Sequence, residues 1–244
     1  MFVSDYCQRL ESTLIPYTPK KTQNTYKIYT LKMNTEIKNF FRPLVPQFIL
    51  NATSKAYLKK LKKEWEDSGC PVPPPHFVKQ MAIREYQEKY HYGILVETGT
   101  YLGDMVEAQK KYFKKIVSIE LGVELYEDAK KRFINDKNVT IEQGDSGKVL
   151  NKVVASLNGP AIFWLDGHYS SGITAQGDKD CPIFEELDAI FNNSNAPHVL
   201  LIDDARCFIG QGDYPTIEEL TKYVKSKNEN YQLLVQHDII RYFI

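Results

Sequence analysis

From residue 93 onward, short apolar runs and longer mixed runs take turns along the chain. GILVE (93–97), KIVSIE (115–120), NVTIEQ (138–143), AIFWL (161–165) and HVLLID (198–203) have strand length and carry many β-branched residues. Between and after them lie runs whose apolar positions recur at helical spacing: GDMVEAQKKYF (103–113), VELYEDAKKRF (123–133), SGKVLNKVVASL (146–157), PIFEELDAIF (182–191) and TIEELTKYVKS (216–226). Regular alternation of strand and helix predicts a parallel sheet covered on both faces, because a crossover helix returns the chain to begin each new parallel strand. The end of the chain departs from this rule. YQLLVQ (231–236) and IIRYFI (239–244) are separated only by His237-Asp238, a hairpin turn, so the sheet should finish with an antiparallel strand.

Before residue 90 the pattern is helical and weaker. In SKAYLKKLKKEWEDSG (54–69), Tyr57, Leu58, Leu61 and Trp65 share a helix face, with Ser54 as the expected N-cap and Gly69 as the stop. PVPPP (71–75) reads as a stiff connector and HFVKQMAIREYQEKY (76–90) as another helix. The expected fold class is α/β: a Rossmann-like doubly wound sheet with five parallel strands and a terminal β-hairpin, preceded by an N-terminal helical region. Two parts follow, a helical extension or cap over 1–90 and the main domain over 91–244.

Charge adds a division that the pattern does not. The whole chain balances 31 basic against 31 acidic side chains. Residues 1–90 hold 15 basic and 8 acidic residues, and residues 91–244 hold 16 and 23. A balanced chain with an acidic second half argues against nucleic acid as the main partner. The basic first half reads as a solvated helix face, or as a surface meeting an anionic substrate or membrane. Cys7, Cys70, Cys181 and Cys207 have no metal-like spacing and are expected as free thiols. FRPLVPQFIL (41–50) is too short and too rich in proline to span a membrane, and no signal peptide is expected. The expected location is cytoplasmic.

The chemistry begins at the strand ends, where such sheets place ligands. The first loop, VETGTYLGD (96–104), lacks the three-glycine fingerprint that admits a pyrophosphate, and Glu97 adds negative charge. In this respect the stretch 93–244, about three-fifths of the chain, resembles class I S-adenosylmethionine-dependent methyltransferases. Glu97, Gly99 and Gly103 match that family's first motif. The resemblance implies that this loop, with Thr100 inside it, takes the amino-acid end of the cofactor. Glu120 closes the second strand, 21 residues after Gly99, and by the same resemblance its carboxylate accepts the ribose hydroxyls. Asp145, in EQGDS, matches the residue that meets the adenine. Each has a plainer reading: Glu120 as a solvated strand end, Asp145 as a helix N-cap.

Strand four ends in Asp166-Gly167-His168 and strand five in Asp203-Asp204. If these ends are adjacent, three carboxylates crowd one space and a divalent cation, Mg²⁺ above all, would compensate them. A metal-bound hydroxyl loses its proton more easily, and His168 has the ordinary pKa of a base. This region resembles the metal-dependent macrocin O-methyltransferase-type sugar methyltransferases, which carry Asp-Gly-Asp after strand four and an acidic pair after strand five. That resemblance implies Asp166, Asp203 and Asp204 as metal ligands, with Asp166 also beside the cofactor. Here His168 stands where that group has its second Asp.

Alternatives stay open at this point. Asp166-Gly167 reads equally as a turn, Asp203-Asp204 as a loop cap, and His168 as a structural residue. His76, His91, His198 and His237 read as structural. Arg206 could reach an anionic substrate or pair with Asp203 or Asp204. HYSSGITAQGDKD (168–180) reads as a lid over the acceptor, with Asp180 capping the next helix. The expected activity is an S-adenosylmethionine-dependent O-methyltransferase, assisted by a divalent metal, acting on a small hydroxylated acceptor such as a sugar or natural product. It is also a candidate homo-oligomer. The rivals are a nicotinamide-dependent oxidoreductase on the same sheet and a methyltransferase-like module that binds without catalysis.

Overall fold

The computed structural model describes residues 47–167 and 181–244, with side chains from residue 56 onward. Residues Thr53–Ile244 form one compact unit. The described chain begins with helices α1 (Gln47–Asp67), of which Thr53–Asp67 fall in this unit, and α2 (His76–Tyr90). There follow β1 (Ile94–Thr98), α3 (Asp104–Gln109), β2 (Lys115–Glu120), α4 (Val123–Arg132), β3 (Val139–Gln143) and α5 (Ser146–Ala155). The second half runs β4 (Ile162–Leu165), α6 (Ile183–Asn193), β5 (Val199–Ile202), a short 3-10 turn (Ala205–Cys207), α7 (Ile217–Lys227), β6 (Gln232–Gln236) and β7 (Ile239–Phe243).

All seven strands join one sheet in the order β3-β2-β1-β4-β5-β7-β6. The first five are mutually parallel, and the terminal hairpin is antiparallel, as the sequence predicts. The hairpin turns on His237 and Asp238, both at positive φ (56° and 61°), the left-handed pair that a two-residue connection of right-twisted strands requires.

The apolar runs are continuous because the central strands are buried on both faces. Period-two alternation then sends neighbours to opposite sides. Val96, Phe163, Leu165, Leu200 and Ile202 meet Leu150 of α5, Leu187 and Ile190 of α6 and Leu220 of α7. Leu95, Ile162, Trp164 and Leu201 meet the other layer, Met105 and Val106 of α3 and Ala82, Ile83 and Tyr86 of α2. Each such large side chain contributes about 1.5–3 kcal/mol by burial. Helix α2, whose residues fall in the N-terminal segment of the sequence reading, thus closes one face of the sheet. Arg241 of β7, itself buried, fastens it by donating to Glu85 Oε2 at 3.2 Å.

Local expectations at the first helix need correction. Helix α1 starts at Gln47, so Ser54 lies within it rather than at its cap. Nothing after Pro46 breaks the helix until Gly69, which sits at φ +92° as the stop should. Of the expected apolar face, Trp65 is buried and its indole N–H donates to Pro71 O at 3.1 Å, whereas Tyr57 is exposed. Helix α6 starts after Pro182, which makes no side-chain cap, and Asp180 lies outside the described residues. Cys70, Cys181 and Cys207 are free thiols. Among the described residues, no helix is long and apolar enough to cross a membrane.

Candidate active site

Strand β1 sits between β2 and β4, so the chain order reverses there and a crevice opens at the carboxyl ends of those strands. The residues singled out from the sequence cluster along this edge. They fall into two groups with different surroundings.

The first group surrounds the loop after β1. Gly99 (φ +83°) passes so close to β4 that a Cβ there would stand 2.3 Å from the Asp166 carbonyl oxygen. Gly103 (φ +80°) starts α3, and a Cβ there would meet the Phe133 ring at 2.7 Å. Only glycine fits either position. Beneath the loop, Glu97 is buried and accepts from Ser118 Oγ. Ser118 Oγ also bonds Thr100 Oγ1 at 2.6 Å. Burial pushes the Glu97 carboxyl up to about 8, against the opposing pull of the Ser118 hydroxyl. Glu97 is therefore mostly neutral at neutral pH. Through Ser118, Glu97 and Thr100 brace the loop from beneath.

Glu120, at the end of β2, is held from both sides. Its Oε2 accepts from the Tyr101 amide at 2.8 Å and its Oε1 from the Gly122 amide at 2.9 Å. Glu120 is largely buried, and each of its oxygens keeps a second lone pair that can accept a further hydrogen bond. The flanking side chains Tyr101, Leu102 and Val123 are exposed and apolar, as a partly apolar ligand requires. Asp145 caps α5, accepting from the Gly147 amide at 2.9 Å and pairing with Lys148 at 3.2 Å. Its plain capping role is thus present, with the carboxylate still partly exposed.

The second group lies at the ends of β4 and β5. The Asp166 amide continues the β1–β4 pairing through Thr98 O at 3.2 Å, and the Asp203 amide continues β4–β5 through Leu165 O at 3.1 Å. The two strand ends are therefore adjacent, as the sequence predicts. Between them stands a residue that the sequence reading passed over: Lys79 of α2. Its ammonium pairs with Asp203 Oδ2 and lies 3.6 Å from Asp204 Oδ1. Asp204 Oδ1 also accepts from Arg206 Nη1 at 2.7 Å, and Arg206 pairs in turn with Asp238. Of the two readings of Arg206, the ion pair with Asp204 is the one present.

Burial and mutual repulsion shape these groups. Asp166 is held well above the usual carboxylate range by burial and then by Asp203, with Lys79 opposing. Asp203 is raised by burial, partly offset by Lys79. Burial works against the Lys79 charge, but Asp203, Asp166 and Asp204 outweigh it and raise its pKa. Lys79 thus stays charged beside Asp203.

This arrangement does not fit the expected divalent cation. Among the described residues, no three acidic, His or Cys side chains are grouped to hold one. Lys79 already engages Asp203 Oδ2, and Lys79 and Arg206 engage Asp204 Oδ1. A doubly charged ion about 4 Å from a fixed ammonium is repelled by about 8 kcal/mol at the effective dielectric of such sites. In the described structure Lys79 and Arg206 thus compensate the carboxylates at the ends of β4 and β5.

His168 and the rest of 168–180 lie outside the described residues, and with them the expected base and lid. Among the other histidines, His198 is buried with both ring nitrogens engaged, Nδ1 accepting from the Ala161 amide at 3.0 Å and Nε2 bonding Ser194 Oγ at 2.8 Å. His76 lies one turn before Lys79, and partial desolvation of its ring together with the Lys79 charge lowers its pKa. Lys79 could have been suspected only from its place. It is one polar position at the edge of the Val78, Ala82, Ile83, Tyr86 face of α2.

No protein-family model matches the chain, and no curated protein matches it. Solved structures do. The methyltransferase PaMTH1 of Podospora anserina, bound to S-adenosylhomocysteine, superposes with a TM-score of 0.50 at 16% identity, over 82% of this chain and 97% of that one. The O-methyltransferase TomG from Streptomyces achromogenes, involved in tomaymycin synthesis and solved with S-adenosylmethionine, gives 0.51 at 14% identity, over 76% and 87%. At such identities the likeness establishes the fold: this sheet has the Rossmann-like methyltransferase architecture.

Proposed function

We propose that the protein is an S-adenosylmethionine-dependent O-methyltransferase acting on a hydroxyl of a small acceptor such as a sugar or other natural product. The observation that carries this reading is Glu120, a carboxylate fixed by two backbone amides at the switch-point edge with lone pairs to spare for a ribose diol. The glycine loop beside it supports the reading, and so do the cofactor complexes of PaMTH1 and TomG on the same fold.

When bound, S-adenosylmethionine supplies an electrophilic methyl group on a positively charged sulfur. In this reading the backbone of Gly99 to Gly103 takes its amino-acid end, Glu120 its ribose, and the Asp145 end of β3 its adenine. Thr100, Ser118 and Glu97 hold the loop in shape from below. Asp166, Asp203 and Asp204 orient the acceptor at the neighbouring strand ends. The acceptor oxygen bonds to the methyl carbon as the carbon–sulfur bond breaks, with the electron pair remaining on sulfur. The hydroxyl proton passes to a base, a role this reading gives to His168, two positions after Asp166. No step is assigned to a divalent metal.

Thermal unfolding with each ligand tests the reading. Saturating S-adenosylmethionine or S-adenosylhomocysteine is expected to raise the melting temperature by about 5 °C or more, the shift that ligand at a hundred times its Kd produces in a chain of this size. Stabilisation by NAD or NADP, with none from either S-adenosyl compound, would sink it in favour of an oxidoreductase.

A further inference from the structure

We propose that Lys79 is a resident cation of this site: its ammonium holds the carboxylates at the ends of β4 and β5 where a divalent metal would otherwise be needed. The inference rests on the methyltransferase reading for its catalytic meaning, and on geometry alone for the charge arrangement. It makes the acceptor side metal-independent and makes Lys79 a positioning residue, acting through Asp203 and Asp204.

Three observations carry it. First, Lys79 is built into the site. Its helix is seated on the sheet by Val78, Ala82, Ile83 and Tyr86 and tied by Glu85 to Arg241, and only 15% of the Lys79 side chain is exposed. A lysine that merely coats a surface keeps its ammonium in water. Second, Asp203 is fully buried, and Lys79 is the cation paired with it in the described structure. Burial at that depth penalises the charged form of an unpaired carboxylate, and the paired ammonium opposes that penalty. The Asp204 backbone N–H supports the ammonium in this, while the buried Asp203 Oδ1 has no hydrogen-bond partner among the described residues. Third, the next acidic residue is compensated in the same manner. Asp204 Oδ1 lies between Lys79 and Arg206, and Arg206 is anchored by Asp238 on the hairpin turn. Two fixed cations from distant parts of the chain thus share the work of one metal ion. They hold the carboxylates in place without occupying the open coordination positions a metal would use to grip an acceptor. The acceptor is then bound by hydrogen bonds to carboxylates, which suits a neutral polyhydroxylated molecule better than a chelating one.

The test is Mn²⁺ binding to the full-length protein, followed by electron paramagnetic resonance, in wild type, Asp203→Asn, Lys79→Ser and the double variant. Wild type and Asp203→Asn are expected to give superimposable titrations, because no metal uses Asp203. Lys79→Ser is expected to gain one Mn²⁺ equivalent over wild type, and the double variant to lose it, because removing the ammonium exposes the carboxylates to a substitute. An equivalent bound by wild type and missing in Asp203→Asn would overturn the proposal. So would a folded Lys79→Ser protein whose titration matches wild type. Should Lys79→Ser fail to fold, the wild-type and Asp203→Asn pair decides alone. Binding of S-adenosylhomocysteine to the same samples reports separately on the methyltransferase reading: its absence would defeat that reading and leave the Mn²⁺ result standing.

Discussion

The carboxylates at the ends of β1 to β3 and those at the ends of β4 and β5 sit on one edge of one sheet, yet they are held in opposite ways. Glu97, Glu120 and Asp145 accept hydrogen bonds from neutral groups close by, the Ser118 hydroxyl and the amides of Tyr101, Gly122 and Gly147, with only the exposed Lys148 adding a charge at Asp145. Asp203 and Asp204 are held by full charges, from Lys79 of α2 and from Arg206. In the proposed reading the difference matches what each side would meet. A cofactor carrying a positive sulfur and a ribose would need acceptors that stay available, and Glu120 spends only backbone amides on its two oxygens. An acceptor hydroxyl brings no charge, so the crowded carboxylates must be compensated by the chain itself.

The sharpest way to break this comparison is to remove the compensating charge. Lys79→Ala leaves Asp203 buried without its cation and is expected to cost about 3–5 kcal/mol in urea unfolding. Replacing both partners with apolar residues, Lys79→Met with Asp203→Leu, is expected to cost much less than the sum of the single changes. A loss below about 1 kcal/mol for Lys79→Ala would place the pair with ordinary surface bridges.

Next in size is Gly99, where the two groups touch. Gly99→Ala puts a Cβ 2.3 Å from the Asp166 carbonyl and a side chain at positive φ. We expect about 3 kcal/mol of destabilisation, together with weaker binding of any ligand on either side, since β1 and β4 must separate. A neutral outcome in both measurements would mean that the loop repacks freely.

Smaller effects follow from pH. The folded protein keeps the Glu97 proton to about pH 8, whereas an exposed glutamate releases it near 4.5. Through that window the folded state binds more protons than the unfolded one, so stability should fall as pH rises, by up to about 1.4 kcal/mol per unit. Glu97→Gln should flatten this slope, as seen in melting temperatures from pH 5 to 8. His198 acts on the acid side. Burial lowers its folded pKa to about 4, so the unfolded ring takes a proton first and stability should decline as pH falls from 6.5 towards 4. His198→Gln should weaken that decline. An unchanged acid limb would assign the decline to other groups.

These contrasts also explain what could be read from the sequence. The strands were legible because burial on both faces makes their apolar runs continuous, as in Ile162–Leu165 and Val199–Ile202. The hairpin was legible because two residues leave no alternative to a tight turn. Gly99, Glu120 and Asp145 were legible as candidates because their partners are local backbone groups. Lys79 was not, because its partner Asp203 lies 124 residues away and helix α2 gives no sign of what its polar edge will meet. A sequence reveals where like charges gather, as at Asp166, Asp203 and Asp204, but not which distant cation reaches them. Ser54 was misread because a good capping residue also stands comfortably inside a helix that begins earlier.

The central claim is that Glu120 marks a cofactor site that works without metal. Isothermal titration of S-adenosylhomocysteine in excess EDTA, into wild type and Glu120→Ala, tests it most directly. The account predicts one molecule bound per wild-type chain with EDTA present, and affinity reduced about tenfold to a hundredfold in Glu120→Ala, the effect of losing charge-assisted hydrogen bonds worth about 1.5–3 kcal/mol. No saturable binding to wild type, or equal affinity in the two proteins, would contradict it.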